Sequence, residues 1–189
     1  TSPPTARGPL GLPMRVGTFG NLNREKGVMV LIEAMAGTRA ELHLFGGSDP
    51  EFEAEARLRA EQLDLRMTWH GPYQDSDLHP ALRMDLAVFP SLCRETYGLV
   101  VDEALHHGAP VIVSDIGALQ ERVAGGGGLA VPAGNVEMLS NAIRGVVEER
   151  DAYHLMRSMV PTEFRTVTET AARYRHIYSL AWASTRTQS

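Results

Sequence analysis

The sequence is poor in the residues that cross-link or metallate small proteins. Among 189 residues there is one cysteine, Cys93, so an internal disulfide and a Cys-rich zinc site are both excluded. A reduced, cytoplasmic setting is the simplest reading of that scarcity. No apolar run approaches the roughly 20 residues that span a bilayer, and the first residues lack the charged-then-apolar make-up of a signal peptide. Basic blocks are also missing. The net charge is −5 with Lys and Arg dispersed, which argues against a dedicated nucleic-acid surface but leaves room for a local cationic spot. No internal repeat is visible.

What is there suits a folded domain. Hydrophobic residues make up 43% and charged residues 22%, enough for the core of one domain, or one domain with an appendage. The start, "TSPPTARGPLGLP" (1–13), is rich in Pro and Gly without periodicity. It reads as a linker, as though the sequence began inside a larger protein. Short apolar runs then alternate with helical patterns. Strands are expected within 14–19, 40–47, 66–71, 85–91 and 109–115, with an edge strand in 125–132. Helices are expected within 26–37, 50–65, 98–108, 118–124 and 135–150, with a short helical piece at 75–83. Pro50 suits a first helical turn and Asn135 an N-cap. From Asp151 onward the pattern is mostly helical, broken at Pro161. The alternation predicts an α/β fold: a single Rossmann-like, doubly wound parallel sheet over 14–150, covered on both faces, with C-terminal helices over 151–189. Ligands of such sheets sit at the carboxyl ends of the strands, which directs attention to the loops at Gly20, Gly46, His70, Ser91 and Ser114.

One of those loops opens "CRETYGLVVDEALHHG" (93–108), where Glu95 and Glu103 bracket Gly98. A helix starting near Tyr97 or Gly98, with Leu99, Val100, Ala104 and Leu105 on one side, points its first N–H groups back toward the strand ends, which makes an anion site. Gly98 admits a ligand close to the backbone. The Glu103 side chain leans toward the helix N-terminus. Carboxylates cannot hold phosphate, but they accept from hydroxyls. A phosphate flanked by two sugars, as in a nucleotide-sugar, satisfies all three features. On spacing alone, a solvated Glu95 and a Glu103 bonded to a neighbouring loop account for the pattern equally well.

The longer run "FPSLCRETYGLVVDEALHHGAPVIVSDIGALQE", with "FGNLNREKG" before it and "VPAGNVEML" after it, resembles the C-terminal, donor-binding domain of retaining glycosyltransferases of GT-B architecture, family 4 (glycosyl transferases group 1). The resemblance covers about residues 14–150. It implies that Glu95 lies near the donor-sugar hydroxyls and that Glu103 binds the ribose. The backbone of Tyr97, Gly98, Leu99 and Val100 would contact phosphate and sugar. Gly20, Leu22, Lys26 and Gly27 match the first strand end, where the family places an arginine and a lysine against the diphosphate. Lys26 matches that lysine, whereas Asn21 replaces the arginine, with Arg24 and Arg94 as candidate substitutes. His70 to Tyr73 resembles the segment packed on the base, and Gly46 and Gly47 the Gly-rich second loop. A lysine in a first helical turn opposes the helix dipole, which also favours a functional Lys26.

Other signals carry less. The run Asp75 to Asp77 imitates a metal-binding Asp-x-Asp, but before a helix it reads as a cap. His106 and His107 are adjacent and face different ways, so they cannot chelate as an i, i+4 pair would; His107 suits the helix C-terminus. Gly125 to Gly128 lacks dinucleotide-fingerprint spacing and reads as a mobile loop, and Cys93 as a bystander. The resemblance thus implies transfer of a sugar from a UDP-, GDP- or ADP-sugar to an acceptor hydroxyl. It implies no cofactor and no metal, with Glu95 and Lys26 in catalytic roles. The acceptor, a glycan or a lipid, would sit on an N-terminal domain outside this chain, leaving the chain alone inactive. The expected location is cytoplasmic, with room for peripheral membrane attachment. Two alternatives stand beside this reading: half of a sugar-nucleotide epimerase, and a non-catalytic nucleotide-sugar-binding or interaction module.

Overall fold

A computed structural model describes residues 13–74, 77–163 and 167–186, and the chain divides at Pro161 into two compact units. The first contains, in order, β1 (Arg15–Phe19), α1 (Val28–Ala34), β2 (Glu41–Phe45), α2 (Pro50–Gln62), β3 (Met67–Trp69), a 3-10 turn (Pro80–Arg83), β4 (Leu86–Phe89), α3 (Leu99–His106), β5 (Val111–Ser114), α4 (Ala118–Val123), β6 (Gly128–Val131), α5 (Val136–Glu148) and α6 (Arg150–Ser158). All six strands are parallel, in the order β3-β2-β1-β4-β5-β6. The expected doubly wound, Rossmann-like architecture is present, with β6 at an edge.

Local chemistry explains most element boundaries. β4 and β5 are buried at every residue, as strands covered on both faces must be. In α1 the stripe Val28, Leu31 and Ile32, continued by Met35 at the C-cap, is fully buried. Asp49 caps α2 by accepting from the N–H groups of Glu51 and Phe52 at 2.9 and 3.3 Å, with Pro50 as its first residue. Asn135 caps α5, accepting from Met138 N–H at 3.0 Å. Along α2 the Glu53–Arg57 pair forms at 2.6 Å. Glu55 and Arg59 turn instead to Arg24 and Glu33, because an exposed i, i+4 pair stabilises by only about 0.2–0.5 kcal/mol and yields to better-placed partners.

Several expectations need correction. The sheet body does not stop at residue 150: Tyr153 and Met156 of α6 belong to its core. The glycine tract is packed from Gly126 onward, with only Gly125 open. A Cβ at Gly126 would lie 2.6 Å from the Met159 carbonyl oxygen, and one at Gly127 2.7 Å from Val160 Cα. Asp75 and Ser76 lie outside the described residues. Asp77 does not cap the following turn but accepts from Gln74 N–H at 2.8 Å; the cap is His79, whose Nδ1 accepts from Ala81 N–H at 3.2 Å. Residues 1–12, expected to be a linker, also lie outside the described set. The second unit is α7 (Val167–Arg186), with Tyr174, Ile177, Tyr178 and Trp182 exposed. Among the described residues no helix is long and apolar enough to cross a membrane.

A single carboxylate reinforces the seam where β1 pairs with β4. Asp85, 5% exposed, stands just before β4. Its Oδ2 accepts from Arg15 N–H at 2.9 Å, its Oδ1 accepts from Arg15 Nη2 at 2.9 Å, and its own N–H donates to the Arg15 carbonyl at 2.7 Å. The Asp85→Ala substitution should leave a backbone donor and a guanidinium unpaired and cost about 2–3 kcal/mol, read as a lower urea midpoint. Asp85→Asn, which keeps the shape and one acceptor, should cost less.

Candidate functional site

A cavity of about 290 Å³ opens at the carboxyl ends of β1 and β4, the neighbouring strands at which the winding direction reverses and where such sheets hold ligands. Thr18 and Phe19 contribute from β1, Phe89 from β4, and Leu119 from α4; the rest of the wall is loop and helix terminus. On one side stands the N-terminus of α3. Its N-cap is Gly98, at φ 76° and ψ 41°, and no side chain caps it. A side chain there would be strained by the left-handed backbone, and its Cβ would meet Leu119 Cδ2 at 3.1 Å. The glycine is therefore required by the backbone first, and Gly98, Leu99 and Val100, at the helix start whose first N–H groups lack partners within the helix, line the cavity. The packed face of the helix is Val101, Ala104 and Leu105, not the expected Leu99, Val100, Ala104 and Leu105. Leu99 is 60% exposed, because the first turn borders the opening.

Lys26 and Glu95, 69 residues apart, form an ion pair on this wall through Nζ and Oε1. Ser91 Oγ donates to the same oxygen at 3.3 Å. Lys26 precedes Gly27, the N-cap of α1, so it lies outside the first helical turn, and its N–H donates to Asn23 Oδ1 at 2.9 Å. It is also the only lysine in the sequence, a signal that composition offered and motif reading passed over. Gly20 and Asn21 line the same cavity. The candidate substitutes for the missing arginine do not: Arg24 pairs with Glu55 and lies 5.3 Å over the Phe52 ring, and Arg94 is outside the lining.

Ten of the residues singled out from sequence thus meet at one cavity: Gly20, Asn21, Leu22, Lys26, Ser91, Glu95, Tyr97, Gly98, Leu99 and Val100. Gly46, His70, Tyr73 and Glu103 do not line it. A Cβ on Gly46 would sit 1.8 Å from the Gly20 carbonyl oxygen, so this glycine serves a close approach of the chain to itself. His70 stacks on Phe45, ring centroids 4.1 Å apart, and its Nε2 is 2.9 Å from His43 Nδ1. Tyr73 meets Phe19 edge-on at 6.4 Å. Glu103 Oε2 is 3.7 Å from Nε2 of His79, whose ring stacks at 4.3 Å on His107. Phe19 links the two regions, lining the cavity while its ring touches Tyr73, His79 and Phe89.

Burial biases this second region toward neutral forms. It pushes the Glu103 carboxyl up, helped by Asp102, and pushes His43 and His70 down. His79 is lowered to about 4 by burial and then by His107 and His106. Among the described residues no group of three or more His, Cys, Asp or Glu side chains is placed to hold a metal ion.

The sequence matches the family described as "Glycosyl transferases group 1" over residues 13–149. A phosphatidyl-myo-inositol mannosyltransferase of Mycobacterium leprae is 30% identical over 125 residues, 62% of this chain and 33% of that protein. HepE of Anabaena in complex with UDP superposes with a TM-score of 0.77 at 25% identity, covering 88% of this chain and 49% of that one. Sucrose-phosphate synthase of Thermosynechococcus elongatus gives 0.74 at 29% identity, covering 93% and 47%. The chain therefore spans about a third of that curated relative and about half of those solved chains.

The depressed His79 predicts acid sensitivity. The unfolded chain takes up this proton near the ordinary 6.5, the folded chain only near about 4. Stability is full above 6.5 and falls as the pH drops through that window. NMR titration should place the His79 imidazole near about 4. The His79→Gln variant should lose less stability between the two values than the parent, as read from urea midpoints.

Proposed function

We propose, on the premise that this chain belongs to the glycosyl transferases group 1 family, that it is the donor-binding half of a retaining glycosyltransferase that takes a nucleoside-diphosphate sugar. The observation that carries the reading is one cavity holding both an uncapped helix N-terminus and the chain's only lysine, at the strand switch of the fold. The UDP in the HepE complex supports the ligand class. A cavity of about 290 Å³ is at the small end for a ligand site. It matches a diphosphate and a hexose, with the nucleoside outside, along Phe19 toward Glu103, Tyr73 and His70.

In this reading the diphosphate takes the N–H groups at the start of α3 and draws Lys26 away from Glu95. Glu95 is then free to accept from sugar hydroxyls. When the bond between the anomeric carbon and the phosphate oxygen breaks, the electron pair goes to the diphosphate. Lys26 and the helix terminus stabilise the charge that develops there. No metal is needed for that step. Retention of configuration follows from the family resemblance. The acceptor, a glycan or a lipid, binds a preceding GT-B domain in a cytoplasmic enzyme that is soluble or peripheral to the membrane. A second reading, a non-catalytic binding or interaction module, draws support from Asn21 and from Arg24 being held by Glu55: the cavity wall then has one cation, already paired.

Calorimetry with UDP, GDP and ADP should show that the chain binds one of them, which excludes an interaction module with no donor site; a non-catalytic nucleotide-sugar-binding module is excluded by sugar transfer in the protein that includes the preceding domain. Lys26→Ala should weaken that binding by roughly ten- to a hundredfold, the range for losing a hydrogen bond to a charged group. Because Lys26 is the only side-chain amine, the bound nucleotide should also protect it from acetylation, read by mass spectrometry. Sugar transfer should be absent from the isolated chain and present in the protein that includes the preceding domain; near-normal turnover by the chain alone would refute the division of labour.

A further inference from the structure

We propose that Arg122, on α4, is a positioning residue for the anion-binding start of α3, an inference that rests on the donor-site reading above. Three contacts from one guanidinium converge on that segment. Nε donates to the Tyr97 carbonyl at 2.9 Å, the Cζ atom lies 3.9 Å from the centroid of the Tyr97 ring, and Nη1 donates to Asp102 Oδ2 at 2.8 Å. Tyr97 immediately precedes the glycine cap and Asp102 lies in the first turn of the helix, so the guanidinium grips the terminus on both sides of Gly98. Its planar fork and flat face suit this combination of hydrogen bonds and stacking, which a lysine cannot reproduce.

The beginning of α4 adds a second tie. Ala118 N–H donates to the Glu95 carbonyl at 3.1 Å. The carbonyls of Glu95 and Tyr97 are thus both taken up on the α4 side, and the uncapped helix start that follows them lines the cavity. Arg122 does not line the cavity and touches no ligand in this scheme. It acts by fixing the peptides from Tyr97 to Leu99, and with them the direction of N–H groups that must converge on phosphate oxygens. Gly98, free of a side chain and held in a left-handed conformation, is the point at which that segment would otherwise swing.

Titration of the full chain with UDP, GDP and ADP, followed by calorimetry and by amide NMR, tests this. In the parent protein the bound nucleotide should shift the amide resonances of Gly98, Leu99 and Val100. Arg122→Leu should weaken binding about tenfold, the order expected when a ligand cradle is loosened without losing a ligand contact. Those three amide responses should shrink while resonances of the sheet stay in place, which a merely structural role would not single out. Arg122→Lys keeps the charge beside Asp102 and serves if the leucine variant fails to fold; it should still bind several-fold more weakly than the parent. Parent-like affinity in either folded variant overturns the role given to Arg122 and leaves the donor site standing. If the parent binds none of the three nucleotides, the donor-site reading fails and this inference fails with it.

Discussion

Everything at the site depends on β1 lying beside β4. The two strands are distant in sequence, and their pairing is secured where they begin, by Asp85 against the backbone and guanidinium of Arg15. Where they end, the chain leaves β1 toward α1 and β4 toward α3. Crossovers in parallel sheets are right-handed, and winding outward from a central pair in both directions separates these two loops. The crevice between them is a consequence of the strand order. Within it the loops are laced together: Leu92 N–H donates to the Glu25 carbonyl at 2.7 Å, and Lys26 pairs with Glu95.

Charge at this crevice is sparse. The family pattern places two cations at the first strand end; here Asn21 fills one position, and Arg24, nearby in sequence, is held by Glu55 and the Phe52 ring. Lys26 is the one cationic side chain lining the cavity, and it shares the wall with a helix N-terminus that no side chain caps. That terminus is the more dependable of the two, because its N–H groups point where the fold directs them, whereas the lysine already has a partner. Its alignment therefore matters more than usual, and α4 reinforces it through Ala118 and Arg122.

How much of this was legible varies with the kind of signal. Strands and helices could be read because β4 and most of β5 are apolar runs, α1 carries a clear stripe, and α2 and α5 carry side-chain caps. Glu95 and the helix start at Gly98 could be read because they follow a strand end, and Lys26 and the contacts of the Tyr97–Val100 backbone because the family resemblance implies them. Glu103 was harder. Its position along the helix was readable, but whether its carboxylate reached the same cavity as Glu95 depended on His79, which arrives from another part of the chain. The role of Gly46 was likewise hidden, since the backbone it must clear, at Gly20, belongs to a different loop. Arg122 carried no signal at all: in sequence it is one arginine among many, and only the docking of α4 gives it Tyr97 and Asp102.

By itself the sequence determined the periodicities, and with them the alternation of strand and helix, the parallel sheet and the end of that sheet at which folds of this kind hold ligands. It also determined which chemistries were available: one lysine, one cysteine, and carboxylates around a glycine. Only the tertiary structure decided that β1 and β4 are neighbours, that Lys26 meets Glu95 while Glu103 meets His79, and that Arg122 grips the helix start. The physical reason is one of range. Hydrogen-bonding periods and caps act over a few residues and leave their mark on the local string. Strand order and side-chain pairing are settled by packing between segments tens of residues apart, for which no local pattern codes.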